Sequence, residues 1–252
     1  MSLPSIKTQQ EIESMRKGGK ILGNLLQTLK TAAKPGVTTE QLDQLTIKIC
    51  SEKGVIPTFL GYKGYPATIC TSVNDEVVHA IPNSRLLKTG DLLSIDCGIT
   101  FEGMVTDAAV SLIIGNADNK LAQKLIQAAE NALFAGINQI KPGNNIGDIG
   151  FAIQEVVHKA GFHIIKELTG HGVGKHLHEE PIINNFGSKG SGPAIKPGMT
   201  FAIEPIIAAG SRFIQTLDDD WTIVTKDGSL AVQVEHTILV TPRGNEILTL
   251  SS

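Results

Sequence analysis

The chain has 252 residues, of which 41% are hydrophobic and 19% charged, with a formal net charge of −3. That describes a globular chain long enough to bury a core without staples, and its charge gives no general attraction to nucleic acid or anionic membrane. Three scattered cysteines, Cys50, Cys70 and Cys97, argue for free thiols in the cytoplasm and against a disulfide frame. The N-terminus lacks the apolar core of a signal peptide, and no apolar run approaches the ~18–20 residues that span a bilayer.

Thr8-Gln9-Gln10-Glu11 reads as a capping box opening a helix, with Ile12, Met15, Leu22, Leu25, Leu26 and Leu29 at helical spacing until Lys34-Pro35-Gly36. Thr38 to Gln41 repeats the cap, and Leu42, Leu45 and Ile49 mark a second helix ending at Gly54. A loop over 57–66 carries Phe59, Tyr62 and Tyr65. Strands are expected over 68–73, in a short piece near 77–82, over 92–96 and over 105–114, the last two joined near Glu102-Gly103. A third helix begins after the segment 116–119, with Leu121, Leu125, Ala129 and Leu133 on one face. A fourth begins after Asn145 with Ile146, Ile149, Ile153 and Val156 inward. Strands over 163–168, 199–204, 221–225 and 232–240 complete the reading.

The order repeats. Lys34-Pro35-Gly36 recurs as Lys141-Pro142-Gly143 and Gly54 as Gly161, both displaced by 107, and the segment 87–96 resembles 195–204, displaced by 108. One α+β domain over 1–252 is expected, with halves of roughly 8–114 and 117–250 related by a pseudo-twofold and strands shared under a cover of helices. The matched strands both end in an acid, Asp96 and Glu204.

Between Thr169 and Pro181 three histidines, His171, His176 and His178, fall within eight residues and are threaded with glycines that let the backbone approach a ligand. A hairpin turning at Glu102-Gly103 sets Asp96 opposite Ala109 and makes Asp107 its diagonal neighbour, within ~7–8 Å at Cα. Glu235 lies on a further apolar strand, on the same face as Gln233. Four acids on strongly apolar strands must be solvated, paired with cations or bound to metal, because desolvation costs several kcal/mol each. Few cations lie in these strands, and two divalent ions would neutralise the four charges. Carboxylates with imidazole suit Mn, Fe or Co better than a thiolate zinc site. The stretch Gly170–Lys175 has the wrong spacing for a phosphate-binding Walker loop.

Ser94-Ile95-Asp96-Cys97-Gly98, Thr106-Asp107, His171-Gly172-Val173-Gly174, His178-Glu179-Glu180-Pro181, Phe201-Ala202-Ile203-Glu204-Pro205 and Gln233-Val234-Glu235-His236-Thr237 together resemble the motifs of the type I methionine aminopeptidases, in order and spacing, over essentially the whole chain. The resemblance implies the pita-bread fold, creatinase/aminopeptidase-like, with a curved antiparallel sheet. It implies two divalent metal ions (Co, Mn, Fe or Zn) held by Asp96, Asp107, His171, Glu204 and Glu235, with Asp107 and Glu235 bridging. It also implies hydrolysis of an N-terminal methionine from nascent proteins and peptides, favouring a small second residue. Glu204 would move the proton, His79 and His178 would contact the substrate amide, and Phe59, Tyr62, Tyr65, Cys70 and Trp221 would line the methionine pocket. His176 matches no family role and is expected on the surface. Phe59 stands where the family often has cysteine, and Leu177 where it often has phenylalanine. Expected partners are a peptide or nascent-chain N-terminus, with the ribosome as a candidate contact and a monomeric state. Two other readings are an Xaa-Pro aminopeptidase on the same fold, whose members usually carry a large extra N-terminal domain, and a non-catalytic peptide-binding relative.

Overall fold

The computed structural model describes residues 4–251. In the first half, helix α1 (Gln9–Ala32) and helix α2 (Thr39–Lys53) are followed by strands β1 (Ile56–Pro57), β2 (Cys70–Val73), β3 (Glu76–Val78), β4 (Leu92–Phe101) and β5 (Met104–Ile113). In the second, α3 (Lys120–Ile137) and α4 (Ile146–Lys159) precede β6 (His163–Ile164), β7 (Thr169–Gly172), β8 (Glu179–Asn184), β9 (Thr200–Ile203), β10 (Ile206–Ala208), β11 (Ile214–Thr216), β12 (Ile223–Thr225), β13 (Ala231–Gln233), β14 (His236–Thr241) and β15 (Gly244–Ile247).

Both expected capping boxes form. The Glu11 N–H donates to Thr8 Oγ1 at 3.3 Å while Glu11 Oε2 accepts from the Thr8 N–H at 2.8 Å. Gln41 does the same for Thr38, at 3.2 and 2.8 Å. The internal repeat is a repeat of hydrogen bonds. Leu87 N donates to Val37 O at 2.9 Å, and Ile195 N to Asn144 O at 2.9 Å, the same bond one repeat later. The bridges Thr38–Leu86 and Asn145–Ala194 correspond in the same way. Gly36 and Gly143 both turn with φ near +90° (87° and 97°), which explains why the motif ends in glycine.

Helices α1 and α2 cover the first sheet through Leu22, Leu25, Leu29 and Leu42 against Ile95, Cys97 and Ile99. Helices α3 and α4 cover the strands of the second half through Leu125, Ala129, Ile149 and Ile153 against Phe201 of β9 and Val232 of β13, which lie in two separate sheets. Leu250, near the C-terminus, lies against α1 at Gly23, where an added Cβ would come within 2.8 Å of its carbonyl oxygen.

The halves differ where strands continue or break. β4 and β5 form one unbroken antiparallel hairpin, with Asp96 opposite Ala109, Gly98 opposite Asp107 and a turn at Glu102-Gly103, in the expected register. In the second half the counterpart is cut. Pro205 has no N–H to give, so the expected strand 199–204 ends at Ile203 and the chain resumes as β10. The expected strand 232–240 is likewise two, β13 and β14. The reason is at Glu235, whose backbone pairs across the seam instead: Glu235 N donates to Ala109 O at 2.9 Å, and Ala109 N to Glu235 O at 3.3 Å. Of the expected strand 163–168 only His163–Ile164 is extended. The histidine-glycine stretch, to which no strand was assigned, begins and ends on strands: β7 carries His171, and β8 starts at Glu179.

Candidate active site

Each functional side chain is placed by one of these strands. Asp96 and Asp107 project from the hairpin as diagonal neighbours. His171 sits on β7 opposite Ala202 of β9. Its strand can approach β8 only because Gly172 lacks a side chain: a Cβ there would lie 2.3 Å from Glu180 O. Glu204 and Glu235 occupy the two breaks, at the end of β9 and between β13 and β14.

All five residues are under a tenth exposed: Asp96 7%, Asp107 5%, His171 6%, Glu204 9% and Glu235 1%. His171 Nδ1 lies 2.9 Å from Gly172 O, and a carbonyl only accepts, so Nδ1 carries the proton and Nε2 presents its lone pair. Nε2 stands 3.5 Å from Glu204 Oε1 and 3.8 Å from Asp107 Oδ2. Ligand atoms of Asp107, His171 and Glu235 lie within 4.8 Å of one another. Asp96 and Glu204 are tied by Gln233, whose Nε2 donates to Asp96 Oδ2 at 3.1 Å and to Glu204 Oε2 at 3.3 Å.

This cluster is unsatisfied by protein alone. Among the described residues, Asp96 Oδ1, Asp107 Oδ1 and Glu235 Oε1 are buried without a hydrogen-bond partner, and no lysine or arginine forms an ion pair with any of the four acids. Burial, reinforced by the neighbouring acids, pushes Asp107, Glu204 and Glu235 well above the usual carboxylate range. Burial alone raises Asp96 to about 7, against a hydrogen bond from Gln233 that lowers it. Orphaned oxygens, mutual charge repulsion and an imidazole lone pair aimed at them make a donor set that fits divalent cations.

A stability consequence follows for protein stripped of metal. A carboxyl whose folded pKa is raised holds its proton in the folded state where the unfolded chain has already lost it. For Asp96 the folded state binds more protons between about pH 4 and about pH 7, so stability falls as pH rises through that window. Scanning calorimetry of chelator-treated protein should show Tm dropping above about pH 6.5, where His79, His171, His178 and His236, whose lowered pKa values work in the opposite direction at lower pH, are neutral in folded and unfolded chains alike. A flat or rising Tm would mean the four acids are not crowded in solution.

Next to the acids is a cavity of about 290 Å³ lined by Phe59, Tyr62, Tyr65, Cys70, Leu177 and Trp221, all of the expected pocket residues included. Tyr65 is fixed there by its hydroxyl, which donates to Ile69 O at 3.0 Å, and by an edge contact with Trp221 at 5.0 Å. Phe59 packs on Gly98, where a Cβ would sit 2.7 Å from the ring, so its bulk is accommodated by the missing side chain on β4. His79 lines the cavity with φ +59°, a left-handed conformation uncommon outside glycine and found at functional positions. Tyr62 Oη lies 2.8 Å from His178 Nδ1, and the His178 ring lies tilted against His171, 4.3 Å between centroids. Loss of solvation, with His171 alongside, lowers the pKa of His178, leaving a neutral imidazole near pH 7.

A second, open cavity of about 820 Å³ meets the first at His79, His171, His178 and Glu204. One bank is the leader Ser5–Lys7, pinned by Lys7 Nζ to Glu179 Oε2 at 2.7 Å and by Lys7 N to Gly198 O at 2.8 Å. His176 is exposed on its wall, in keeping with the surface placement expected for it.

Leu177, set beside Phe59 in the sequence reading of the pocket, lines it, whereas Gln233, Lys63 and Asn185 are residues that sequence reasoning did not assign a role here. Gln233 was within reach of such reasoning, since it shares the strand face of Glu235. Asn185, which holds the Glu204 carbonyl at 2.9 Å, carries no such signal.

Comparison with known proteins agrees with this geometry. The pattern of metallopeptidase family M24 matches residues 13–242. A methionine aminopeptidase of Clostridium perfringens is 44% identical over 97% of this chain and 98% of its own length. The crystal structure of methionine aminopeptidase from Rickettsia prowazekii superposes with a TM-score of 0.96 at 39% identity, covering 98% of this chain and all of that one. A prolidase from Pyrococcus horikoshii, 18% identical with a TM-score of 0.79, shares the fold.

Proposed function

The chain belongs to metallopeptidase family M24 and, within it, to the methionine aminopeptidases, and on that footing we propose how its residues remove an N-terminal methionine. The observation that carries the reading is the set of buried acids with orphaned oxygens around the His171 lone pair, adjoining an apolar pocket of side-chain size. Asp96, Asp107, His171, Glu204 and Glu235 would hold two divalent ions, with Asp107, His171 and Glu235 presenting ligand atoms within 4.8 Å of one another. When bound, such ions lower the pKa of water and polarise a carbonyl.

The chain's own residues do the rest. The apolar pocket takes the methionine side chain, with Tyr65 and Trp221 as fixed walls. Glu204 accepts a proton from the attacking water and delivers it to the leaving amine, a task suited to a carboxylate whose proton affinity burial and the neighbouring Asp96 and Asp107 raise. Neutral His178 and His79 face the scissile amide and hold its oxygen and nitrogen. The rest of the peptide lies in the open cavity beyond them, where a small second residue passes most easily between the histidines and the acids. The substrates are peptide and nascent-chain N-termini, those at the ribosome included, and the enzyme acts as a cytoplasmic monomer. Among the described residues no helix is long and apolar enough to cross a membrane.

Protein loaded with Mn or Co should release methionine from Met-Ala-Ser and leave Ala-Pro-Ala intact, and a chelator should stop the release. Cleavage of the proline peptide alone would favour an Xaa-Pro enzyme. Failure on both peptides with every metal would favour a non-catalytic relative.

A further inference from the structure

Tyr62 stands between two parts of the site that are usually considered separately. Its ring lines the apolar cavity, while its hydroxyl lies 2.8 Å from His178 Nδ1. We propose that Tyr62 is a positioning residue, which fixes His178 as the Nε2–H tautomer and thereby links occupancy of the side-chain pocket to the handling of the scissile amide. The inference rests on the reading that His178 acts on the substrate.

The hydrogen bond has two possible directions, and chemistry chooses between them. A phenol hydroxyl is a better donor than acceptor, and the free nitrogen of a neutral imidazole is a strong acceptor. The favoured pairing is therefore Tyr62 O–H to Nδ1. A neutral ring that accepts at Nδ1 must carry its hydrogen on Nε2. Among the described residues His178 makes no other hydrogen bond, so that Nε2–H is a free donor at the junction of the two cavities. The neighbouring His171 is locked in the opposite state, with Nδ1–H given to Gly172 O. Two adjacent, mutually tilted imidazoles thus present unlike groups, one a lone pair and the other a hydrogen.

The loop that carries Tyr62 is held ready. Tyr62 N donates to Phe59 O at 2.9 Å, Gly61 N to Tyr65 O at 2.8 Å and Tyr65 N to Tyr62 O at 2.9 Å. Gly61, Lys63 and Gly64 all take positive φ, so the turn closes within four residues and points both tyrosines the same way, into the cavity. Tyr62 is half-buried and His178 open to the cleft, so water competes for their hydrogen bond while the pocket is empty. A side chain seated against the Tyr62 ring displaces that water and strengthens the bond.

The test is Tyr62→Phe, which keeps the ring in the pocket and removes one oxygen. Long-range proton–nitrogen spectra of the histidine rings, taken on metal-free protein, should show His178 protonated at Nε2 in the parent and a mixture of tautomers in the variant. With Met-Ala-Ser, kcat should fall about tenfold and KM stay within about twofold, the loss expected for one hydrogen bond of about 1.4 kcal/mol. A parent His178 protonated at Nδ1, or a variant with unchanged tautomer and unchanged kcat, overturns the proposal. The spectra do not depend on turnover. A parent that fails to release methionine at all therefore refutes the functional reading separately from the tautomer.

Discussion

Glu204→Ala should fold normally and lose about 10²–10⁴-fold in kcat on a methionyl peptide, the range that one proton-transfer group contributes. The fold should survive because the side chain stabilises little. Its one resolved donor is Gln233 at 3.3 Å, and burial among Asp96 and Asp107 disfavours its charge. The structural work at this position is done by the backbone, whose carbonyl accepts from Asn185 Nδ2 at 2.9 Å, and by Pro205 ending the strand. Circular dichroism and single-substrate kinetics suffice as a check, with metal content measured alongside to separate lost proton transfer from lost ligation. A variant that turns over at the parent rate would remove Glu204 from the mechanism.

Asp107→Asn should separate two roles of the acid cluster by moving them in opposite directions. Asp107 is held through its main chain: its N–H donates to Thr237 Oγ1 at 2.9 Å and its carbonyl accepts from the same hydroxyl at 2.8 Å. An isosteric amide leaves that clamp untouched and removes only the charge. With metal present, activity should fall by about 10³-fold or more and bound metal should drop, because the position that faces both His171 and Glu235 has lost an anionic donor. With metal removed, the variant should be the more stable of the two at pH 8. It no longer places a charge beside Asp96, and relief of even one pKa unit is worth about 1.4 kcal/mol. Metal analysis and denaturant melts of both proteins give the answer. Parent-like metal content and rate would exclude Asp107 as a ligand, and lower stability of the metal-free variant would mean its carboxylate is satisfied in a way the geometry does not record.

How far the sequence could be read depended on whether local or distant contacts decide each feature. The capping boxes at Thr8 and Thr38 and the hairpin register of Asp96 and Asp107 are local, and all were legible. So was the duplication, because Lys-Pro-Gly and its glycine turn survive in both copies. The breaks at Pro205 and Glu235 were not, although the proline was in view. Glu235 leaves its strand only because Ala109, far away in sequence, offers a backbone partner. The same holds for β7: His171 is extended because Gly170 and Gly172 admit neighbouring strands at very short range, whereas glycine in isolation signals a loop. The metal-ligand set and the pocket residues came from resemblance, and the structure brings them to one place. Spacing alone did not distinguish His171 and His178 from His176.

The leader strip from Ser5 to Lys7, fastened to Glu179 and Gly198, bears on how the protein is handled in the laboratory. An affinity tag or reporter added at the N-terminal end enters the fold through this strip, which borders the aperture through which peptides must enter, where it can obstruct them or present its own end to the acids. The opposite end leaves from the strip beside Gly23 on α1, which borders neither cavity. Purification handles, fluorophores and surface-immobilisation linkers therefore belong at the C-terminal end.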